Sequence, residues 1–133
     1  MAVLSDPISD FLTRLKNASR AGNEFFTAPH SKTKEAIAKI LEAEGYIWNY
    51  EVNTDSKFKE LKVKVKYSDS GVAVLTDLKR VSKPGIRRYV GAGEIPRVLN
   101  GLGISIVSTS KGLKTGTHAR KEKLGGELLA FVW

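Results

Sequence analysis

The chain has 133 residues, 41% of them hydrophobic, with no cysteine and a net charge of +8, which suits one ordinary domain or two small ones with a modest core. Disulfides, thiolate metal ligands and cysteine nucleophiles are excluded, and His30 and His118, the two histidines, lie far apart in sequence, so neither a metal nor another cofactor is expected. No apolar run approaches the roughly 20 residues of a membrane helix, and Asp6 and Asp10 stand where a signal peptide carries positive charge, so a soluble, cytoplasmic protein with no membrane partner is expected.

Asp6-Pro7 reads as a helix start, since Asp accepts from free backbone N–H groups and Pro is pre-set for the first helical position. Ile8, Phe11, Leu12 and Leu15 follow at helical spacing, with Thr13, Arg14 and Asn17 on the opposite face. Glu24 to Ala28 is expected to be a short strand. A second helix is expected from Ser31, burying Ile37, Ile40 and Leu41 and stopping at Gly45. The period then changes: Tyr46 to Val52 reads as a strand, and Leu61, Val63, Val65 and Tyr67 alternate with Lys62, Lys64 and Lys66 as in a half-buried strand. Those lysines are most simply a solvated face that protects the sheet.

Ser68-Asp69-Ser70-Gly71 forms a turn and a domain boundary in this reading. Beyond it, short runs such as "VAVL", "LKRV", "IRRYV", "ISIV" and "ELLAFVW" are punctuated by glycines, the pattern of a compact β-rich unit with one short helix at Glu94 to Asn100. The expected class is therefore α+β, with an N-terminal α/β subdomain of two helices on a three-stranded sheet at 1–70 and a mainly β subdomain at 71–133. The charge is unevenly divided. Residues 1–70 hold 11 basic against 10 acidic side chains, whereas residues 71–133 hold 11 against 4, an asymmetry that suggests a polyanionic partner for the second half.

Ser108-Thr109-Ser110-Lys111-Gly112 is the most distinctive stretch. Ser108-x-x-Lys111 and Lys114-Thr115-Gly116 match elements of serine β-lactamases, but only two residues separate them, too few to face each other across a cleft, and no Ser-Asp-Asn element accompanies them. A phosphate loop needs two glycines flanking four residues and followed by Lys-Ser/Thr, which no stretch provides. Gly91-x-Gly93 and Gly101-x-Gly103 lack the third glycine of a dinucleotide fingerprint. Nucleic-acid recognition fits better: the hydroxyls donate and accept toward sugars, phosphates and base edges, and Lys111, Lys114, Arg120, Lys121 and Lys123 attract phosphate. Short polar side chains suit the wide minor groove of RNA with its 2′-OH groups. Ser, Thr and Gly are also what ordinary loops contain, and composition alone leaves the two readings even.

The sequence resembles the bacterial-type family of the eighth small-subunit ribosomal protein over essentially the whole chain. The resemblance rests on "SDPISDFLTRLKNA" at 5–18, "SKTKEAIAKILEAEGYI" at 31–47, "LKRVSKPGIRRY" at 78–89, "EIPRVLNGLGISIVSTSKGL" at 94–113 and "GGELLAFVW" at 125–133. It implies a non-enzymatic structural constituent of the small ribosomal subunit, with the two-subdomain α+β fold. The implied partner is the central domain of the small-subunit rRNA, bound directly at an irregular helix with an internal loop. The fifth and twelfth proteins of that subunit are implied as neighbours, and in many members the protein's own operon mRNA is a repressed target.

By position, the resemblance implies that Ser108, Thr109 and Ser110 hydrogen-bond bases and sugars, with Lys111 and Gly112 continuing the contact. Gly125, Gly126 and Glu127 are implied beside that loop, Glu127 either accepting from RNA or orienting the loop. Lys83, Pro84, Gly85, Arg87 and Tyr89 match the family's basic turn, and Thr13, Arg14, Asn17, Ser31 and Lys32 match a second, weaker RNA contact. Two departures stand out. Gly116-Thr117-His118 replaces a more charged stretch, which leaves Arg120's local partner open, and Arg88 stands where relatives have an aliphatic residue.

Overall fold

The computed structural model describes residues 6–54 and 58–133; Ser5, which opens the first family-like segment, lies outside them. The fold is α+β. The chain divides into two units, Pro7–Thr76 and Asp77–Trp133, the second also taking Asp6.

The first unit runs α1 (Pro7–Ala21), β1 (Phe25–Pro29), α2 (Lys32–Ala43), β2 (Ile47–Asn53) and β3 (Glu60–Val65), with the strands in the order β1-β3-β2, all antiparallel. Alternation in β3 sends Leu61, Val63 and Val65 to the inner face, where they join buried Phe11, Leu12, Leu15, Ile37 and Leu41 of the helices. Ser31 caps α2, its Oγ accepting from Lys34 N–H at 3.1 Å. Gly45, at φ +82°, takes the left-handed conformation that ends the helix. The expected core face of α2 needs one correction: Ile40 is only half-buried, and Lys34, Ile37, Ala38 and Leu41 form the buried stripe. Lys34 is tolerated there because its Nζ donates to Pro29 O at 3.0 Å.

The Ser68–Gly71 turn lies inside this unit, since Ser68 N–H donates to Val72 O at 2.8 Å and Tyr67 bridges Ala73. Apart from that bridge "VAVL" forms no strand, and the division between units falls after Thr76.

The second unit contains β4 (Leu78–Arg80), β5 (Tyr89–Val90), β6 (Ile104–Thr109), β7 (Gly112–Thr115), α3 (Gly116–Lys121) and β8 (Gly126–Val132). The sheet order is β4-β8-β6-β7, with β5 also paired to β8. Ile95, Val107, Ala119 and Leu128 form a core against which Val81, Val90 and Phe131 pack. Arg80, its side chain 7% exposed, donates to both carboxylate oxygens of Asp6 at 3.1 and 3.3 Å and to Leu129 O at 2.6 Å.

The short helix is not at Glu94–Asn100. Pro96 pushes Ile95 to ψ 118°, so that segment holds only single 3-10 turns at Ala92–Glu94 and Leu99–Gly101. The helix forms instead at Gly116–Lys121, capped by Thr115 Oγ1, which accepts from His118 N–H at 3.3 Å. Gly116 permits this because a Cβ there would overlap Ser105 Oγ and lie 2.9 Å from Ile95.

Candidate nucleic-acid interface

β6 and β7 form a hairpin closed by the pair Thr109↔Gly112, with Ser110 and Lys111 as its two turn residues. Gly112 sits at φ +102°, a conformation that L side chains rarely adopt. Thr109 Oγ1 donates to Gly112 O at 2.7 Å and accepts from Lys111 N–H at 3.1 Å. The hydroxyl of Thr109 is thus committed to the turn. Those of Ser108 and Ser110 have no hydrogen-bond partner among the described residues, and Ser110 and Lys111 are exposed while Ser108 is half-exposed. The end of the hairpin therefore offers two unengaged hydroxyls, Ser108 on β6 and Ser110 on the turn, and the Lys111 ammonium group, with the turn's pose set by Thr109 and Gly112.

Strand register extends this surface. Ser108 is opposite Leu113 on one side and Glu127 on the other, and Glu127 is opposite Tyr89. Directly opposed residues share a sheet face, so Leu113, Ser108, Glu127 and Tyr89 form one row across four strands. In the next row Thr109 meets Gly126. A Cβ on Gly126 would overlap the Ser108 carbonyl oxygen, and one on Gly125 would lie 2.5 Å from Val90 O and 2.9 Å from Gly91 Cα. Both glycines are needed for close backbone packing around β8.

The basic turn docks on the same row. Lys83 and Ile86 exchange two backbone hydrogen bonds of 3.0 Å around Pro84-Gly85, with Gly85 at φ +89°, the residues and conformation a type II turn requires. Lys83, Arg87, Arg88 and Tyr89 are exposed, Tyr89 to 71%. Glu127 holds this turn in place: its Oε2 accepts from Ser82 Oγ at 2.5 Å and from Arg87 Nη1 at 2.9 Å, and the fully buried Ser82 also accepts from Arg88 N–H at 3.1 Å. Burial opposes ionisation of Glu127. The hydrogen bonds from Ser82 and Arg87, with the charges of Arg87 and Arg80, outweigh it and hold the carboxyl below its ordinary range. Glu127 thus orients the basic turn, while its Oε1 makes no hydrogen bond among the described residues.

The cations around the hairpin separate into two groups. Lys114 pairs with Glu122 at 3.0 Å, and that hydrogen bond draws the Glu122 carboxyl down from its ordinary value. Arg120 donates to Ile95 O at 3.1 Å and to Thr117 Oγ1 at 3.4 Å, which identifies its local partners. Lys111, Lys121 and Lys123 stay exposed.

The N-terminal set lies in the first unit. Arg14 donates to Asp10 at 3.0 Å and to Thr27 O at 2.9 Å, lining a groove of about 490 Å³ with Pro29, Phe58 and Lys59. Thr13, Asn17 and Lys32 are exposed, whereas the Ser31 hydroxyl is taken up by its helix cap. Among the described residues no group of three or more His, Cys, Asp or Glu could hold a metal ion, and no helix is long and apolar enough to cross a membrane. Ser82 carries no sequence signal, because the carboxylate it serves is 45 positions away.

Residues 6–133 match the family described as Ribosomal protein S8. The chain is 53% identical over 131 residues to the small ribosomal subunit protein uS8 of Halalkalibacterium halodurans, which covers 98% of this chain and 99% of that relative. It is 59% identical over 131 residues to the uS8 of Opitutus terrae, with 98% and 100% covered. The uS8 of Lactobacillus delbrueckii is 50% identical over 131 residues, with 98% and 99% covered.

Proposed function

The chain belongs to the ribosomal protein S8 family, and from that premise we propose that its second unit binds the central domain of the small-subunit rRNA directly, through the Ser108–Gly112 hairpin and the Lys83–Tyr89 turn. It is a structural constituent of the small ribosomal subunit and not an enzyme. The observation that carries the proposal is the pair of unengaged hydroxyls on Ser108 and Ser110, at the end of a hairpin whose turn Thr109 and Gly112 fix.

Division of labour follows from the chemistry. Lys83, Arg87, Lys111, Lys121 and Lys123 neutralise phosphates with release of counterions. The two serines and Tyr89 set register against 2′-OH groups and base edges of an irregular helix, whose minor groove is wide enough to admit them. Gly125 and Gly126 keep the row flat by letting β5 and β6 approach β8. Arg14, Asn17 and Lys32 supply a weaker contact in the first unit, with Ser31 acting through its cap. A similar hairpin in the protein's own operon mRNA would bind the same row, which is the basis for translational repression.

Competition at moderate salt tests the reading. A labelled central-domain rRNA fragment is expected to stay bound against excess duplex DNA and to be displaced by its own unlabelled copy. Equal displacement by duplex DNA would make this a general polyanion binder.

A further inference from the structure

The face of the first unit's sheet that points away from its helices carries a pattern the hairpin surface does not use. Across β1-β3-β2, Phe25 is opposite Lys64 and Lys64 opposite Asn49, while Thr27 is opposite Lys62 and Lys62 opposite Glu51. Trp48 falls at the register shift between Ile47 and Asn49 and is 52% exposed. Lys62 Nζ lies 4.3 Å from the centroid of the Phe25 ring and Lys64 Nζ 5.9 Å from it, and Lys66 Nζ lies 4.5 Å from the Trp48 ring. None of these lysines pairs with a carboxylate among the described residues.

A merely solvated face does not require large aromatic rings beside unpaired ammonium groups. We infer that this sheet face is a platform for single-stranded RNA, in which Trp48 and Phe25 stack unpaired bases and Lys62, Lys64 and Lys66 take the intervening phosphates. Charge complementarity selects a polyanion, and the rings select among polyanions. An acidic peptide would satisfy the ammonium groups but leave the ring faces wet, whereas a nucleotide strand uses both, because every base has a face to stack. Duplex RNA keeps its bases stacked on each other and has none to offer. The lysines over the rings are poised for exchange: an arriving base takes the place of the ammonium group on the ring, and the ammonium group moves to the adjoining phosphate, exchanging a cation–π contact for an ion pair.

The test uses the full chain and a short fluorescent oligouridylate, read by anisotropy over a range of salt. Wild type is expected to bind. Trp48→Ala is expected to weaken binding on the order of tenfold with the salt slope unchanged, since it removes stacking alone. Lys64→Gln combined with Lys66→Gln is expected to lower the slope by about 1.4, at roughly 0.7 per phosphate on a single strand. Lys39→Gln, at an exposed position of α2 that belongs to neither surface, is expected to leave oligouridylate binding unchanged, which separates this platform from the general positive charge of the chain. Trp48 is exposed and Lys64 and Lys66 are half-exposed, and matching thermal melts establish that the variants fold. The inference is overturned if wild type does not bind, if the sheet variants bind like wild type, or if polyglutamate displaces the oligouridylate from the sheet more readily than unlabelled oligouridylate does.

Discussion

Ser82 and Glu127 are joined by a 2.5 Å hydrogen bond from a fully buried hydroxyl to a carboxylate oxygen, and the same hydroxyl receives the backbone N–H of Arg88 at 3.1 Å. One small side chain therefore fixes both a charge on β8 and the backbone that follows the Lys83–Ile86 turn. Ser82→Ala leaves the Arg88 N–H and the Glu127 carboxylate each short of a partner, a loss of about 1–3 kcal/mol. The urea midpoint should fall, and affinity for the rRNA fragment should fall with it because the basic turn loosens. An unchanged midpoint would show that water replaces the hydroxyl at no cost.

The lowered pKa of Glu127 ties this contact to pH. A carboxyl whose folded value lies below its unfolded value of about 4.3 stabilises the fold fully above that value and loses the contribution as pH falls through the folded one. Wild type should therefore exceed Glu127→Gln in stability at neutral pH, and the two should converge in acid. Denaturation series across that range check the sign, and a gap that widens toward low pH would contradict it.

Gly126 should tolerate no side chain. Its Cβ would overlap the carbonyl oxygen of Ser108, a backbone atom in a paired strand, so Gly126→Ala must push β6 and β8 apart at a cost of about 1–3 kcal/mol. Gly93→Ala, which meets open space without a positive φ, should stay within about 0.5 kcal/mol of wild type. Comparing their melting temperatures separates close packing from the general effect of replacing a glycine.

What was legible in the sequence was local. The spacing of Phe11, Leu12 and Leu15 and the alternation of Leu61, Val63 and Val65 identify elements whose apolar faces recur at their own period, and those faces are buried. Glu94–Asn100 misled because its composition suits a helix while Pro96 constrains Ile95 to an extended backbone. Gly116–Lys121 was hidden because it opens on a glycine, a poor helix former, whose fitness there comes from Ser105 on a neighbouring strand. At the candidate site the hydroxyl run and the basic turn were visible as residue types. Their division into roles was not: Thr109 differs from Ser108 and Ser110 only through the carbonyl and N–H that fold back onto it, and Glu127 only through Ser82.

That division supplies the sharpest mutational contrast. Ser110→Ala removes an exposed hydroxyl with no protein partner, so thermal stability should be unchanged while affinity for the rRNA fragment falls by about 1–3 kcal/mol, the cost of leaving a buried polar group of the complex unpaired. Thr109→Ala removes both hydrogen bonds that shape the turn, so stability should drop by about 1 kcal/mol and binding should weaken as a consequence. Thr109→Ser keeps the hydroxyl and should restore both. Neither hydroxyl carries charge, so the dependence of affinity on salt should stay that of wild type in all three, whereas Lys111→Ala should lower the slope by about 0.9. If Ser110→Ala bound like wild type while Thr109→Ala did not, the turn would act by shape alone and the Ser110 hydroxyl would have no part in reading the RNA.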